Sequence, residues 1–141
     1  MKSSLLILAL GLSLLIFSCS QYGRYYRRAD KNLKQGLYEN AVLESIKSLR
    51  LKPGNEKAQL LLVQAWDNAL QSGEERVAQL QQSPDSGKWE GIYREYKRLE
   101  ELAAGIRSLP VLVNPNSGYR VNINIPDFSE KIASSRENAA E

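Results

Sequence analysis

The side chains that could do chemistry in this sequence are few, and they begin with its single cysteine, Cys19. The chain has no histidine, and one thiol can form neither an internal disulfide nor a thiolate metal site. Most nucleophile–base arrangements also need an imidazole. These counts exclude the usual metal-ligand sets, and we expect no metal and no catalytic site built on Cys19.

Paired carboxylates are the remaining candidates for catalysis. The sequence offers two such pairs, Glu90 with Glu95 and Glu100 with Glu101. Cleavage of a cell-wall glycan needs two carboxyl groups that face each other about 5 to 10 Å apart across a cleft. Neighbours on one exposed helix do not provide such a cleft. These acids alternate with Lys88, Arg94, Lys97 and Arg98, a pattern typical of a solvated helix face with ion pairs. A glycan-cleaving enzyme is therefore the last of three functional hypotheses.

Cys19 lies at the end of an apolar run from Leu5 to Phe17, which follows the positively charged start Met1-Lys2. This order is typical of a secretory signal. The run is too short for a membrane-spanning helix, which needs roughly 20 apolar residues. An ordinary signal peptide cleaved near Ser18 or Ser20 is one interpretation.

The residues Ile16-Phe17-Ser18-Cys19 resemble the lipobox of bacterial lipoproteins. The resemblance implies a signal peptide over residues 1–18, a covalent lipid such as palmitate on Cys19, and a short tether over residues 19–21. Several acyl chains on one cysteine make a durable anchor. The residue after the cysteine is Ser20 and not an aspartate, and in lipoproteins of this kind this implies an outer-membrane location facing the periplasm. Apart from this lipid, no cofactor is expected.

Length and composition favour one ordinary domain: 141 residues, 43% hydrophobic and 25% charged. The net charge of +3 is too small to suggest nucleic-acid binding. No residue pattern indicates a small-molecule substrate.

The first predicted helix carries tyrosines and arginines on different sides. Its apolar positions recur at intervals of three and four, at Tyr22, Tyr25, Tyr26, Ala29 and Leu33. The cations take the other sides, at Arg24, Arg27, Arg28 and Lys31. We expect the tyrosines to pack inward, while the arginines are either solvated or lie over lipid headgroups beside the tether.

The same spacing predicts three more helices, from Tyr38 to Leu49, from Glu56 to Leu80 and from Trp89 to Ile106. Turns containing glycine and proline separate them. Beyond Pro110 the apolar residues alternate across a turn at residues 114–118, which predicts a β-hairpin within residues 110–126. Residues 127–130 form a capping-box pattern that opens a last helix over residues 127–141.

Part of this pattern resembles the tetratricopeptide repeat (TPR), a helical hairpin of about 34 residues. The resemblance is carried by Tyr25, Ala29, Gly36, Tyr38, Ala41, Leu49, Leu51 and Pro53, and residues 56–109 are similar to a second, distorted repeat. It implies a mainly α domain over residues 22–109, built of antiparallel helical hairpins in an α–α superhelix. The last helix then either caps the stack or belongs to a longer array.

The resemblance to TPR proteins also implies a partner-binding groove lined by the first helix of each repeat. In this sequence the groove consists of Tyr26, Asp30, Leu33 and Lys34 beside Leu60, Gln64, Asp67 and Asn68. The plain alternative places the two leucines in the core and leaves the polar residues as solvated surface. The leading hypothesis is a membrane-tethered, non-catalytic adaptor that binds another envelope protein. The second is a structural subunit or assembly factor of an envelope complex that uses the hairpin or the last helix.

Overall fold

The computed structural model describes residues 21–140, and this part of the chain is mainly helical. Helix α1 is described over residues 21–34. It is followed by α2 (Tyr38–Leu51), α3 (Glu56–Gln82), α4 (Lys88–Arg107) and α5 (Ser129–Ala139). The predicted order of five helices is confirmed. Within the described residues, no helix combines the length and the apolar character needed to cross a bilayer.

Consecutive helices pack against each other in alternating directions. Gly36, with a φ of 74°, makes the turn between α1 and α2, a backbone conformation that favours glycine. The far end of α2 lies against α1, where Ser48 Oγ donates a hydrogen bond of 2.9 Å to Tyr22 O. Ser45 Oγ donates to Ala41 O at 2.7 Å, so both buried serines have partners. Serine is therefore accommodated at two buried positions of α2.

Within residues 21–140, helix α3 is the longest element, and it continues through Ser72-Gly73 as the spacing predicted. The Asn55 side chain caps its first turn by accepting a hydrogen bond of 3.3 Å from Ala58 N. Gly73 permits a close approach of α4, because a Cβ at this position would lie 2.9 Å from Leu99 Cδ1. The close packing of α4 therefore explains why a glycine occurs in the middle of this long helix.

The core is one cluster to which all five helices contribute. Its largest fully buried side chains are Trp66 on α3 and Phe128 just before α5. The Phe128 ring lies 6.2 Å from that of Tyr96 on α4, centroid to centroid. Burial, together with the charge of Glu74, raises the pKa of the Tyr96 hydroxyl above its usual range.

The predicted β-hairpin is wrong beyond its turn. The chain does turn at residues 114–118, with Gly118 at a φ of 72°, but only one isolated antiparallel bridge forms, between Val113 and Arg120. The segment is instead attached to α3: Val113 O accepts from Gln59 Nε2 at 2.9 Å, and Asn124 O accepts from Trp66 Nε1 at 2.8 Å. Because apolar residues alternate along this segment, Val121, Ile123 and Ile125 share one side of it and pack against the core.

The start of the last helix differs in detail from the predicted capping box. Helix α5 begins at Ser129, and Phe128 at its N-cap makes no side-chain hydrogen bond. Asp127 Oδ1 instead accepts from Ser129 N at 2.9 Å. Hydrogen bonds from Ser129 lower the pKa of the Asp127 carboxyl. Helix α5 then packs along α4.

Enlarging Gly73 should separate α3 from α4. We expect Gly73→Leu to lower the free energy of unfolding by about 1–3 kcal/mol, because the new side chain overpacks against Leu99. Urea denaturation measures the change. Ala78→Leu is the matched control, since Ala78 is exposed on the same helix, and it should change stability by less than about 0.5 kcal/mol. Equal effects of the two substitutions would contradict the close packing at Gly73.

Removing the indole donor should weaken the attachment of the extended segment to α3. In Trp66→Phe the buried ring is largely kept, but Asn124 O loses its hydrogen bond. We expect a loss of about 1–3 kcal/mol in the free energy of unfolding, measured by urea denaturation. Trp89→Phe, at a half-buried position, is the control and should cost clearly less. A Trp66→Phe variant as stable as the unaltered chain would show that this bond does not hold the segment.

Candidate functional site

Of the two predicted functional features, the lipidation site and the partner-binding groove, the structure describes only the groove. Cys19 and the signal and tether residues up to 20 lie outside the described residues. The predicted groove lies entirely within the described residues, on α1 and α3. The candidate binding site therefore consists of residues on these two helices.

On α1 the four groove residues share one face because they are spaced by three and four positions. Tyr26 and Leu33 are half-buried and pack against the core. Asp30 and Lys34 form an ion pair at 2.6 Å. The hydrogen bond and negative charge of Asp30 raise the pKa of the Lys34 amine. This face therefore has an apolar side that belongs to the core and a polar side that is exposed.

On α3 the four groove residues occupy the side of the helix that the core leaves uncovered. Leu60 is 61% exposed, so it does not belong to the core. Gln64 and Asp67 are exposed as well, and Asn68 is half-buried. Asn68 Nδ2 donates to Gln64 O at 2.8 Å, a bond within the helix. A large aliphatic side chain surrounded by hydrogen-bonding groups is thus presented to solvent.

The two halves of the predicted groove differ in their relation to the core. Leu33 follows the plain alternative because it contacts the core, whereas Leu60 does not. Among the described residues, no hydrogen bond or ion pair joins the four α1 residues to the four on α3. The predicted groove offers a partner one exposed apolar side chain, two amides, two carboxylates and one amine.

The paired carboxylates are engaged by arginines in the structure. Glu95 Oε2 lies 2.9 Å from Arg76 Nε, and Glu100 Oε1 lies 2.7 Å from Arg107 Nη2. Glu90 lies 3.8 Å from a nitrogen of Arg94. The contacts of these three acids are therefore ion pairs on and between helices. In the described part of the chain, no three His, Cys, Asp or Glu side chains are placed to hold a metal ion.

An arginine network that the sequence analysis missed connects three helices. Arg76 on α3 contacts Glu39 on α2 through Nη2 and Glu95 on α4 through Nε, both at 2.9 Å. Arg98 contacts the same two carboxylates at 3.4 and 3.3 Å. The sequence contains one indication of this network: Arg76 follows Ala69 by seven residues, so a charged side chain lies on the apolar side of α3.

A pocket of about 230 Å³ opens beside this network. The turn between α1 and α2, the start of α2 and the middle of α3 line it, with Gly36, Leu37, Tyr38, Glu39, Asn40, Ala69, Ser72 and Arg76. The Arg76 guanidinium at its edge is already bound by two carboxylates. We assign this pocket to the packing of the helix ends.

Comparison of the chain with protein-family models, with curated proteins and with solved structures finds no match.

Proposed function

We propose that this protein is a lipid-anchored adaptor of the bacterial cell envelope, which binds another envelope protein through the exposed face of α3 and the adjoining α1 and catalyses no reaction. The observation that carries the proposal is Leu60, which is 61% exposed on that face. Protein–protein interfaces have an apolar buried core within a polar rim, and the exposed Leu60 beside the exposed Gln64 and Asp67 has this composition.

The packing of the helices supports a TPR-like arrangement. In such repeats the first helices of successive hairpins are neighbours, and the second helices are neighbours as well. Here α2 and α4 contact each other: a Cβ at Gly105 would lie 3.0 Å from Ile46 Cδ1, and Arg50 Nη2 donates to Ser108 Oγ at 3.0 Å. In the proposed repeats, α2 is the second helix of the first hairpin and α4 is the second helix of the second hairpin. This leaves α1 and α3 as the helices that form the binding face.

The anchor in this proposal is the covalent lipid on Cys19. The supporting features are the lipobox-like residues 16–19 and the short distance along the chain from Cys19 to the start of the described helix at residue 21. An outer-membrane location facing the periplasm follows from Ser20 by the same resemblance. With this tether, the partner is met at the membrane surface.

The lipid anchor can be tested by intact mass measurement on the protein extracted from bacterial membranes with detergent. We expect the mass of residues 19–141 plus acyl chains, because the cysteine is acylated and the signal is cleaved before it. The Cys19→Ala variant should lack the acyl mass. A membrane-extracted protein of unmodified mass would exclude the anchor.

The binding face can be tested by photo-crosslinking in cells, with a photoreactive amino acid in place of Leu60 or Gln64. We expect crosslinks to a discrete protein partner from both positions, because both lie in the uncovered face of α3. The control is Ala104, which is exposed on α4 and should give no such product. Crosslinks of equal yield from Ala104, or none from Leu60 and Gln64, would contradict the adaptor proposal.

The second candidate, a structural subunit that binds through the turn region, is favoured by one observation. Val111 and Tyr119 beside the turn are 63% and 78% exposed. Deleting the whole segment is not a clean test, because Leu112 in it is buried in the core. The double variant Val111→Ser and Tyr119→Ser removes only exposed groups. Retained assembly of the complex in that variant would exclude this candidate.

A further inference from the structure

The excess positive charge of the chain is concentrated on α1. Its residues 21–34 carry five cations and one carboxylate, a net charge of +4, while the whole chain carries +3. The rest of the sequence together therefore carries −1. A charge imbalance of this kind on one helix creates a local positive potential even though the protein as a whole is nearly neutral.

Four of the α1 cations form a continuous exposed surface, which we call the basic face: Arg24, Arg27, Arg28 and Lys31. None of the four forms an ion pair with another described residue, whereas Lys34, the fifth cation, is held by Asp30. Unpaired exposed cations are available to an external anion without breaking an internal contact.

A cleft of about 430 Å³ between α1 and α2 extends the basic face. Arg28 and Lys31 line it from α1, and Lys47 lines it from α2. Lys47 Nζ also contacts Glu44 Oε1 at 2.6 Å and lies 5.7 Å from the centre of the Tyr25 ring. The cleft is a concave part of the surface lined by three cations from two helices and by one carboxylate, that of Glu44.

The basic face points away from the core contacts of α1. With 3.6 residues per turn, Arg24, Arg28 and Lys31 lie roughly 140–180° around α1 from Leu33 or Tyr26. Tyr26 and Leu33 pack on the core. The basic face is therefore on the outside of the helical stack and can meet a flat surface without displacing any described element.

We infer that the basic face docks on a membrane that contains anionic lipid headgroups, so that the protein lies with α1 along the bilayer. Charge complementarity selects this occupant, since each Lys or Arg near an anionic bilayer contributes to attraction over about a Debye length. The orientation of the tethered protein rests on the proposed lipid anchor, because the two Cα–Cα steps from Cys19 to residue 21 span at most about 7 Å. The affinity of the basic face for anionic headgroups does not depend on that anchor.

The affinity is tested with residues 19–141 carrying Cys19→Ser, which include every described residue and bear no acyl chain. Binding is measured by co-sedimentation with vesicles of phosphatidylglycerol and phosphatidylcholine in equal parts, and with vesicles of phosphatidylcholine alone. We expect binding to the anionic vesicles only, weakening as salt is raised. Equal binding to both vesicles, no binding to either, or binding insensitive to salt would overturn the inference.

A charge-matched pair of variants locates the surface. Arg24→Gln, Arg28→Gln and Lys31→Gln together should lower vesicle partitioning about 100-fold, since each cation contributes about fivefold. The control replaces three exposed cations elsewhere with Gln: Lys57, Arg94 and Arg136. It should retain at least a tenth of the partitioning of the Cys19→Ser chain. Equal losses in both would show an effect of net charge alone. Because no acyl chain or partner takes part, failure here leaves the tests of the anchor and of the α3 face unaffected.

Discussion

The burial of Trp66 is the constraint on which the arrangement of this protein depends. The indole lies in the middle of the longest helix and is fully buried, so other elements must surround it. Its Nε1 donates to Asn124 O, which brings the extended segment of residues 121–126 along α3. Phe128 follows at once and packs near Tyr96 of α4, so α5 takes its place in the stack. The extended segment and Phe128 thereby cover apolar surface of α3 and α4.

The same arrangement determines which surfaces are available for function. Because the extended segment covers one side of α3, and α2 and α4 cover others, the exposed side is the stripe that contains Leu60, Gln64 and Asp67. Arg24, Arg28 and Lys31 lie on the opposite side of α1 from its core contacts. In our proposal the anchored protein rests on the membrane by its basic face and presents the α3 stripe to a partner.

The positions of the helices could be predicted from the sequence, because spacing of three and four reports directly on a buried helix face. The hairpin could not, because alternation of apolar residues shows only that an extended segment has one buried side. It does not show whether the backbone acceptors bind a neighbouring strand or the side chains of Gln59 and Trp66. The roles of Gly73 and Arg76 depend on Leu99 and Glu95, which are more than fifteen residues away along the chain. All eight residues of the predicted groove, which the resemblance to TPR proteins implies, lie on the expected helices, but only the packed structure separates the half-buried Leu33 from the exposed Leu60.

Deuterium exchange of the two tryptophan indole protons, followed by NMR, tests the central packing claim most directly. The chain contains only Trp66 and Trp89, so the two signals can be assigned by substituting either residue. The buried, hydrogen-bonded Trp66 proton should exchange slowly, while that of half-buried Trp89 should exchange much faster. Rapid exchange of both protons would contradict the attachment of the extended segment to α3 and, with it, the closure of the helical stack.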